Sequence, residues 1–258
     1  MPRGDVVKTV EERVSRPTVA RQIERRIACE ILRGERLPGT RLPAVRTLAV
    51  SFETTVPTIQ RALDRLAAMG LVRARRGSGV VVQDPSRCGG LSLLPLWFEA
   101  YAGDPAHSGR LLADFLELRR ALSGHVVRTA ADRIREVLPQ LAEVFTEVAV
   151  ATSLREIAEL DAELTRIIVG SVGNLALVAV FETVGRLALE NPAIAEAFYG
   201  DRDAHHQVVL AVAAALTEPD PEVAALGVEQ AMFTWDQRAV ASLVERLSRE
   251  SGHEPGFE

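Results

Sequence analysis

Apolar residues recur every three or four positions over residues 17–34, 44–52 and 55–70, a spacing that places them on one face of a helix. The first helix ends at Gly34, and the third begins at Thr54 or Thr55, because a threonine can cap a helix. Pro57 then falls in the first turn, where its missing N–H costs nothing, and Gly70 ends the helix. The apolar positions of these three helices are Ala20, Ile23, Ile27, Ile31, Val45, Leu48, Ala49, Ile59, Ala62, Leu63, Leu66 and Ala67.

Two β-prone runs, residues 71–76 and 80–83, follow the third helix and are joined by Gly77, Ser78 and Gly79. This pattern predicts a β-hairpin. Two short helices joined by a tight turn and followed by a basic hairpin indicate a winged helix-turn-helix, whose second helix can enter a major groove with the wing beside it.

From residue 91 onward the pattern predicts helices alone, at roughly 109–134, 136–150, 153–171, 174–190, 192–198, 202–216 and 221–249. Residues 174–190 and 206–216 are apolar nearly all round, which predicts interior helices of a bundle. The expected fold class is therefore mostly α, with an N-terminal winged helix-turn-helix that carries a small β-hairpin wing and then an all-α helical bundle.

The chain of 258 residues is long enough for two domains. We expect a flexible arm over 1–15, a DNA-binding domain over 16–84, a linker and lead-in helix over 85–108, and an all-helical effector-binding and dimerisation domain over 109–250. No apolar run is long enough for a membrane span, the N-terminal residues lack the apolar h-region of a signal peptide, and there are only two cysteines, so the expected location is the cytoplasm, with no membrane partner.

The two predicted domains differ in net charge. Residues 1–86 hold 16 Lys and Arg against 9 Asp and Glu, a balance of +7, whereas the rest of the chain balances to −12. A basic head on an acidic body is typical of a head that binds phosphate. The side chains predicted to contact DNA lie on the helices and the wing: Arg46, Thr54, Thr55, Thr58, Gln60, Arg61, Arg73, Arg75, Arg76 and Gly77.

The N-terminal region resembles the GntR family of bacterial transcription regulators, whose members share spaced Gly, Leu-Pro, Arg, Leu-Ala, Ala-Leu and Gly-Leu positions and a glycine-rich wing. The family's common Val-Ser-Arg at the start of the recognition helix is Thr54-Thr55-Val56 here, so a frequent DNA-contacting arginine is absent. The matching residues are Gly34, Leu37, Gly39, Leu42, Pro43, Arg46, Leu48, Ala49, Thr58, Ile59, Ala62, Leu63, Leu66, Gly70, Leu71, Gly77, Gly79 and Val82.

Asp161, Thr165, Ser171 and Asn174 resemble the effector domain of the FadR-like subgroup, called FCD, and residues 114–133 resemble its first helix. In many members an aspartate and a histidine four residues later bind a divalent metal together with two later histidines. Here His205, or its neighbour His206, matches one later histidine. The resemblance implies an effector site that includes Arg119, Asp161, Thr165, Asn174, His205 and His206.

The metal set of that subgroup is incomplete in this sequence. Thr165 stands where the first histidine belongs, and no histidine occurs near Ala231 or Met232. Asp161 and His205 remain as a remnant, and two ligands do not make a tight zinc site. A divalent ion such as Zn²⁺, Ni²⁺ or Mn²⁺ is possible, but no metal or other cofactor is predicted, and His125 is a less favoured substitute ligand.

These observations predict a regulator, not an enzyme, since no glycine-rich phosphate loop, nucleophile elbow or H-E-x-x-H motif occurs. We expect a homodimer that binds a double-stranded DNA operator, acts as a repressor, and responds to a small effector of the organic-acid or acyl-CoA class. The alternative is a DNA-binding regulator whose bundle only dimerises and has lost ligand and metal binding.

Overall fold

The computed structural model describes residues 18–75, 79–250 and 252, and only the backbone of Val184. It contains two compact units, Met1–Cys88 and Gly89–Glu258. The predicted arm over 1–15 and the predicted DNA contacts Arg76 and Gly77 lie outside the described residues.

The first unit contains α1 (Val19–Leu32), α2 (Val45–Ser51), α3 (Val56–Ala68), β1 (Val72–Arg75), β2 (Gly79–Val82) and a single helical turn, α4 (Pro85–Cys88). The Thr18 hydroxyl accepts a hydrogen bond from the Arg21 N–H and caps α1. The predicted helical faces form the core of the unit, in which Ile27, Leu48, Ile59 and Leu66 are almost fully buried. Residues 85–88, predicted as linker, are helical.

The predicted wing is present as an antiparallel pair in which Val72 lies opposite Val82 and Arg75 opposite Gly79. A third segment extends this hairpin, which the sequence pattern did not reveal. Gly39 N–H donates to the Val82 carbonyl and Leu42 N–H donates to the Val80 carbonyl, both at 2.9 Å. The hydrogen bonds on the second edge of β2 attach the wing to the segment before α2.

The second unit opens with a 3-10 turn (Leu91–Leu93) and continues with α5 (Leu94–Ala100), α6 (Pro105–Glu136), α7 (Leu138–Val150), α8 (Leu154–Ser171), α9 (Leu175–Glu190), α10 (Pro192–Tyr199), α11 (Arg202–Leu216) and α12 (Pro221–Glu250). The first long helix starts earlier than predicted, because Asp104 caps it by accepting from the His107 N–H and Pro105 occupies the first turn. In the described part of the chain, no helix is long and apolar enough to cross a membrane.

The two longest helices, α6 and α12, pack against each other in opposite directions. Gly109 near the start of α6 faces Val244 near the end of α12, while Arg128 further along α6 pairs with Glu229 and Glu222. The backbone of α6 leaves helical geometry at Ala130, where φ is −132° and ψ is 20°.

Two apolar clusters fill the bundle. One joins α5, the first half of α6, α10 and the second half of α12, with Phe98, Leu112, Phe198 and Trp235 among its members. The other joins the second half of α6 with α7, α8, α11 and the first half of α12. A cavity whose walls draw on both clusters therefore lies in the middle of the unit.

The prediction that residues 174–190 and 206–216 form interior helices was wrong for a single chain. Phe181 and Leu187 are buried in α9, but Leu175 is 84% exposed and Leu189 is 39% exposed. On α11, Leu210 is 48% exposed. Both helices lie at the outside of the bundle, so neighbouring helices cover only one side of each.

Candidate functional site

The outer side of α3 presents the polar residues predicted to contact DNA. Gln60 and Arg61 are exposed, and so is Arg46 on α2. Thr55 occupies the N-cap position of α3 without making a side-chain capping bond. Its hydroxyl instead lies 2.9 Å from the hydroxyl of Thr58, and Thr54 is half-buried beside them. Hydroxyl and amide groups at the start of a helix can reach phosphates and base edges.

The wing adds positive charge beside this helix. Val72 of β1 is buried, whereas Arg73 and Arg75 are exposed. Arg61 and Thr58 also line a shallow groove with Ala20 of α1 and its capping residue Thr18, so this side of α3 is open at its N-terminal end. Exposed arginines can neutralise phosphate, which is the electrostatic requirement for binding duplex DNA.

The second candidate site is the bundle cavity, whose volume is about 160 Å³. Most of its wall is aliphatic or aromatic, and polar side chains gather at one end. The cavity-lining residues with polar groups are Arg119, Ser123, Asp161, Thr165, Tyr199, His205 and Trp235, whose indole carries an N–H. An apolar cavity with a few convergent polar groups is the usual form of a small-molecule site.

The carboxylate of Asp161 is the centre of the polar end. Tyr199 Oη donates a hydrogen bond to Asp161 Oδ2 at 3.0 Å, and His205 Nε2 lies 3.9 Å from Oδ1, beyond hydrogen-bonding distance. Burial alone would raise the pKa of Asp161, but the imidazole of His205, the guanidinium of Arg119 and the hydroxyl of Tyr199 hold it below its usual range. Asp161 is therefore ionised at neutral pH.

Tyr199 and His205 are held by aromatic packing. The His205 ring meets the edge of Tyr199 with centroids 5.0 Å apart and lies 5.4 Å from the ring of Trp235. Burial, followed by the negative charge of Asp161, raises the pKa of Tyr199 well above its ordinary value. The phenol therefore keeps its proton and serves Asp161 as a neutral donor.

Arg119 and Arg120 share one buried carboxylate on α12. Arg119 Nη2 donates to Asp236 Oδ1 at 3.0 Å, and Arg120 Nη1 donates to Asp236 Oδ2 at 2.7 Å. Burial raises the pKa of Asp236, and the two guanidinium groups oppose that shift. The Arg119 guanidinium lies over the Phe198 ring at 5.5 Å, and its buried Nε has no hydrogen-bond partner among the described residues.

The structure brings some of the predicted effector residues together and not others. Arg119, Asp161, Thr165 and His205 line the cavity, and the Thr165 hydroxyl donates to the Asp161 carbonyl at 3.0 Å. Asn174 lies elsewhere, because its side chain caps α9 by accepting from two backbone N–H groups. His206 does not line the cavity and its buried Nδ1 lacks a described partner, and His125 is exposed on α6.

Sequence reasoning missed Tyr199 and Asp236. Both come from helices far along the chain from their partners, and a lone tyrosine or aspartate in an apolar helix carries no spacing signal. The burial of Asp236 is visible only in the structure.

The donor set does not fit the metal of the resembled subgroup. Asp161 and His205 are the two candidate ligands at the cavity, while Thr165 and Met232 line it where further histidines would be needed. Within the described residues, no group of three His, Cys, Asp or Glu side chains could hold a metal ion. One oxygen of Asp161 already accepts a hydrogen bond from Tyr199.

Comparison with known proteins assigns both units. Residues 14–82 match the model of the bacterial regulatory proteins of the gntR family, and residues 114–232 match that of the FCD domain. The HTH-type transcriptional regulator Mce2R of Mycobacterium tuberculosis is 36% identical over 135 residues, which cover 52% of this chain and 53% of that protein. The match thus spans about half the length of that relative.

Two further similarities extend over most of the chain. The HTH-type transcriptional repressor NanR of Edwardsiella tarda is 27% identical over 217 residues, covering 81% of this chain and 80% of that protein. The solved structure of Lar, described as controlling the expression of the Listeria monocytogenes agr system, covers 87% of this chain and 98% of its own with 16% identity and a TM-score of 0.53. The likeness to Lar concerns the fold alone.

The two units have the architecture of a transcription regulator, with an exposed polar helix and a basic wing in a winged helix-turn-helix and a separate helical unit after it. The chain belongs to the gntR family of bacterial regulatory proteins and carries an FCD domain. Its domains and relatives are those of transcription regulators and not of enzymes.

Proposed function

We propose that this chain is a repressor that binds a double-stranded DNA operator as a homodimer and changes its affinity for DNA when a small carboxylate-bearing effector enters the bundle cavity. We place this activity in the cytoplasm, where the operator lies. The observation that carries the proposal is the cavity of about 160 Å³ with Arg119, Asp161, Tyr199 and His205 at one end.

The DNA-binding half of the proposal is supported by the exposed Arg46, Gln60, Arg61, Arg73 and Arg75. Two-fold symmetry suits a helix-turn-helix protein that reads two half-sites. The repressor role is supported by the name of NanR, which aligns over 81% of this chain. Effector and operator would then be coupled through two states of the protein, each with its own affinity for DNA.

The effector half is supported by the shape of the cavity and the charge of Arg119. A guanidinium held by Asp236 and stacked over Phe198 keeps a fixed direction, which favours recognition of a planar carboxylate. An acyl-CoA would need to place most of its length outside a cavity of this size, so we favour a small organic acid.

Fluorescence anisotropy with duplex DNA from upstream of the chain's own gene tests the proposal. We expect tight binding that weakens steeply with salt, since phosphate neutralisation releases counterions. A panel of small carboxylates and acyl-CoAs should then contain a compound that releases the DNA. Absence of DNA binding at low salt would refute the regulator proposal for this operator region, and binding that no compound alters would favour a bundle that only dimerises.

A further inference from the structure

The polar end of the cavity holds one cationic and one anionic group, Arg119 and Asp161, and each has hydrogen-bonding capacity that no described residue uses. On one side, Arg119 and Arg120 share the single carboxylate of Asp236, at 3.0 and 2.7 Å. Two guanidinium groups against one carboxylate leave a net positive charge. Of the two arginines, Arg119 is the one that lines the cavity, and its Nε lacks a partner among the described residues.

The opposite charge belongs to Asp161. Its one side-chain hydrogen bond among the described residues comes from the neutral hydroxyl of Tyr199 at 3.0 Å. His205 Nε2 is 3.9 Å away, too far to close a hydrogen-bonded pair. A carboxylate can accept several hydrogen bonds, so Asp161 keeps acceptor capacity toward the cavity.

The remaining wall is apolar and sets the size of the ligand. Phe145, Phe181 and Met232 lie among its lining residues. An engineered apolar cavity of about 150 Å³ in another protein binds benzene, so a cavity of about 160 Å³ has room for one ring or a branched alkyl group. A long acyl chain or a polar sugar acid would not match this wall.

We propose that the effector is an apolar α-amino acid of about leucine or phenylalanine size, bound as a zwitterion with its carboxylate at Arg119 and its ammonium group at Asp161. This inference rests on the proposed function, because it names the class of carboxylate that the same cavity takes. A simple carboxylate would pair with Arg119 but bring a second negative charge close to Asp161. A simple amine would pair with Asp161 but bring a second positive charge close to Arg119. A zwitterion pairs with Arg119 and Asp161 at the same time, and its side chain packs against the apolar wall.

Isothermal titration calorimetry on the full chain compares each amino acid with analogues that lack one of its two charged groups. The compounds are L-phenylalanine, 3-phenylpropanoate, which lacks the ammonium group, and 2-phenylethylamine, which lacks the carboxylate; L-leucine and 4-methylpentanoate form a second pair. We expect each amino acid to bind at least about tenfold more tightly than its analogues, because each lost charged hydrogen bond weakens binding by about that factor. Equal or tighter binding of the des-amino acids would overturn the inference.

Variants assign the two charges. Asp161→Asn should weaken L-phenylalanine binding about tenfold or more and leave 3-phenylpropanoate unchanged or tighter, since only the former has a cation to lose. Arg119→Gln should weaken both. Arg128→Gln is the matched control, because Arg128 also pairs across α6 and α12 but does not line the cavity. An Asp161→Asn chain that loses affinity equally for both compounds would contradict the assignment of the ammonium group.

Different experimental results would contradict this inference and the proposed function. If another carboxylate releases operator DNA while the apolar amino acids do not bind, the zwitterion is wrong and the carboxylate effector stands. If neither carboxylates nor amino acids alter a DNA affinity that is otherwise intact, the effector part of the proposed function falls and this inference falls with it.

Discussion

At the residue scale, the negative charge at the polar end of the cavity depends on the ionisation of Asp161. The net effect of its surroundings lowers its pKa below the ordinary value of 3.8. A carboxylate whose pKa is depressed in the folded chain contributes stability above its unfolded pKa, and loses that contribution as the pH falls through the folded pKa. The contribution is thus complete at neutral pH and disappears only in acid.

The prediction is that Asp161→Asn lowers the melting temperature at pH 5 to 7 by a constant amount, and that the difference from the parent chain shrinks as the pH falls below about 3.8. Thermal melts followed by circular dichroism over this pH range measure it. Asp114→Asn, at an exposed carboxylate on α6, is the control and should show no such dependence. A difference that stays constant down to the lowest pH would contradict the depressed pKa.

A second residue-scale prediction separates base readout from phosphate contact. Gln60→Ala should change the preference among operator variants, because an amide reads base edges, with a discrimination of about 1–3 kcal/mol per good contact. Arg73→Ala should weaken binding to all sequences alike and reduce the salt dependence of the affinity. Anisotropy with matched and mutated DNA distinguishes the two, and Arg155→Ala, at an exposed position of α8, serves as the control. Loss of sequence preference in the arginine variant alone would reverse the two roles.

At the element scale, close packing of α6 on α12 depends on glycine. A Cβ at position 109 would lie against Val244 Cγ2, inside any normal contact distance, whereas a Cβ at position 170 of α8 meets nothing within 4 Å. Alanine is a better helix former than glycine by about 1 kcal/mol, but overpacking costs about 1–3 kcal/mol. The cost should exceed the gain only where the helices touch.

We therefore predict that Gly109→Ala destabilises the chain by up to about 2 kcal/mol and that Gly170→Ala stabilises it by about 0.5–1 kcal/mol. Urea unfolding monitored by circular dichroism measures both changes. If both substitutions stabilise the chain, then α6 and α12 are further apart than the structure has them.

Most elements were predictable because local signals mark them. The caps Ser153, Asn191 and Asp201 each accept backbone hydrogen bonds at the start of a helix that the apolar period had already predicted. The pairing of residues 39–42 with β2 was not predictable, since it depends on tertiary position and no β-rich run marks that segment. The prediction that α9 is an interior helix was wrong, because the pattern shows that its residues are apolar but not how many neighbouring helices cover them.

Some residues of the candidate site were likewise predictable from the sequence, and others were not. Asp161, Thr165 and His205 could be found because the i and i+4 spacing and the family resemblance mark them. Asp236 meets Arg119 across 117 positions of sequence, a juxtaposition set by the antiparallel packing of two long helices. No spacing within a single sequence reports such a contact.

At the scale of the whole molecule, exposed apolar residues on α12 predict the contact between two copies. Val223, Leu226 and Phe233 are 49%, 58% and 41% exposed. Their spacing of three and seven residues places them along one side of the helix. Such a stripe, exposed in one chain, can be covered by a second copy in a two-fold dimer.

Light scattering on the full chain should therefore report a mass near twice 28.0 kDa. The double variant Val223→Glu with Leu226→Glu should shift the protein toward monomer, because two carboxylates would be buried at the contact. Leu210→Glu, at an exposed leucine of α11, is the control and should leave the dimer intact. A monomeric parent chain, or a dimer lost only in the control, would place the contact elsewhere.

The most direct test of a cavity coupled to DNA binding is one anisotropy titration of the full chain on its operator, repeated with saturating effector for the parent chain and for Arg119→Gln. The prediction is that effector weakens operator binding by the parent chain at least about fivefold, a coupling of about 1 kcal/mol or more. Arg119→Gln should bind the operator as the parent does without effector and respond little to the ligand. An unchanged response in Arg119→Gln, or a parent chain whose DNA affinity ignores a ligand shown to bind, would contradict it.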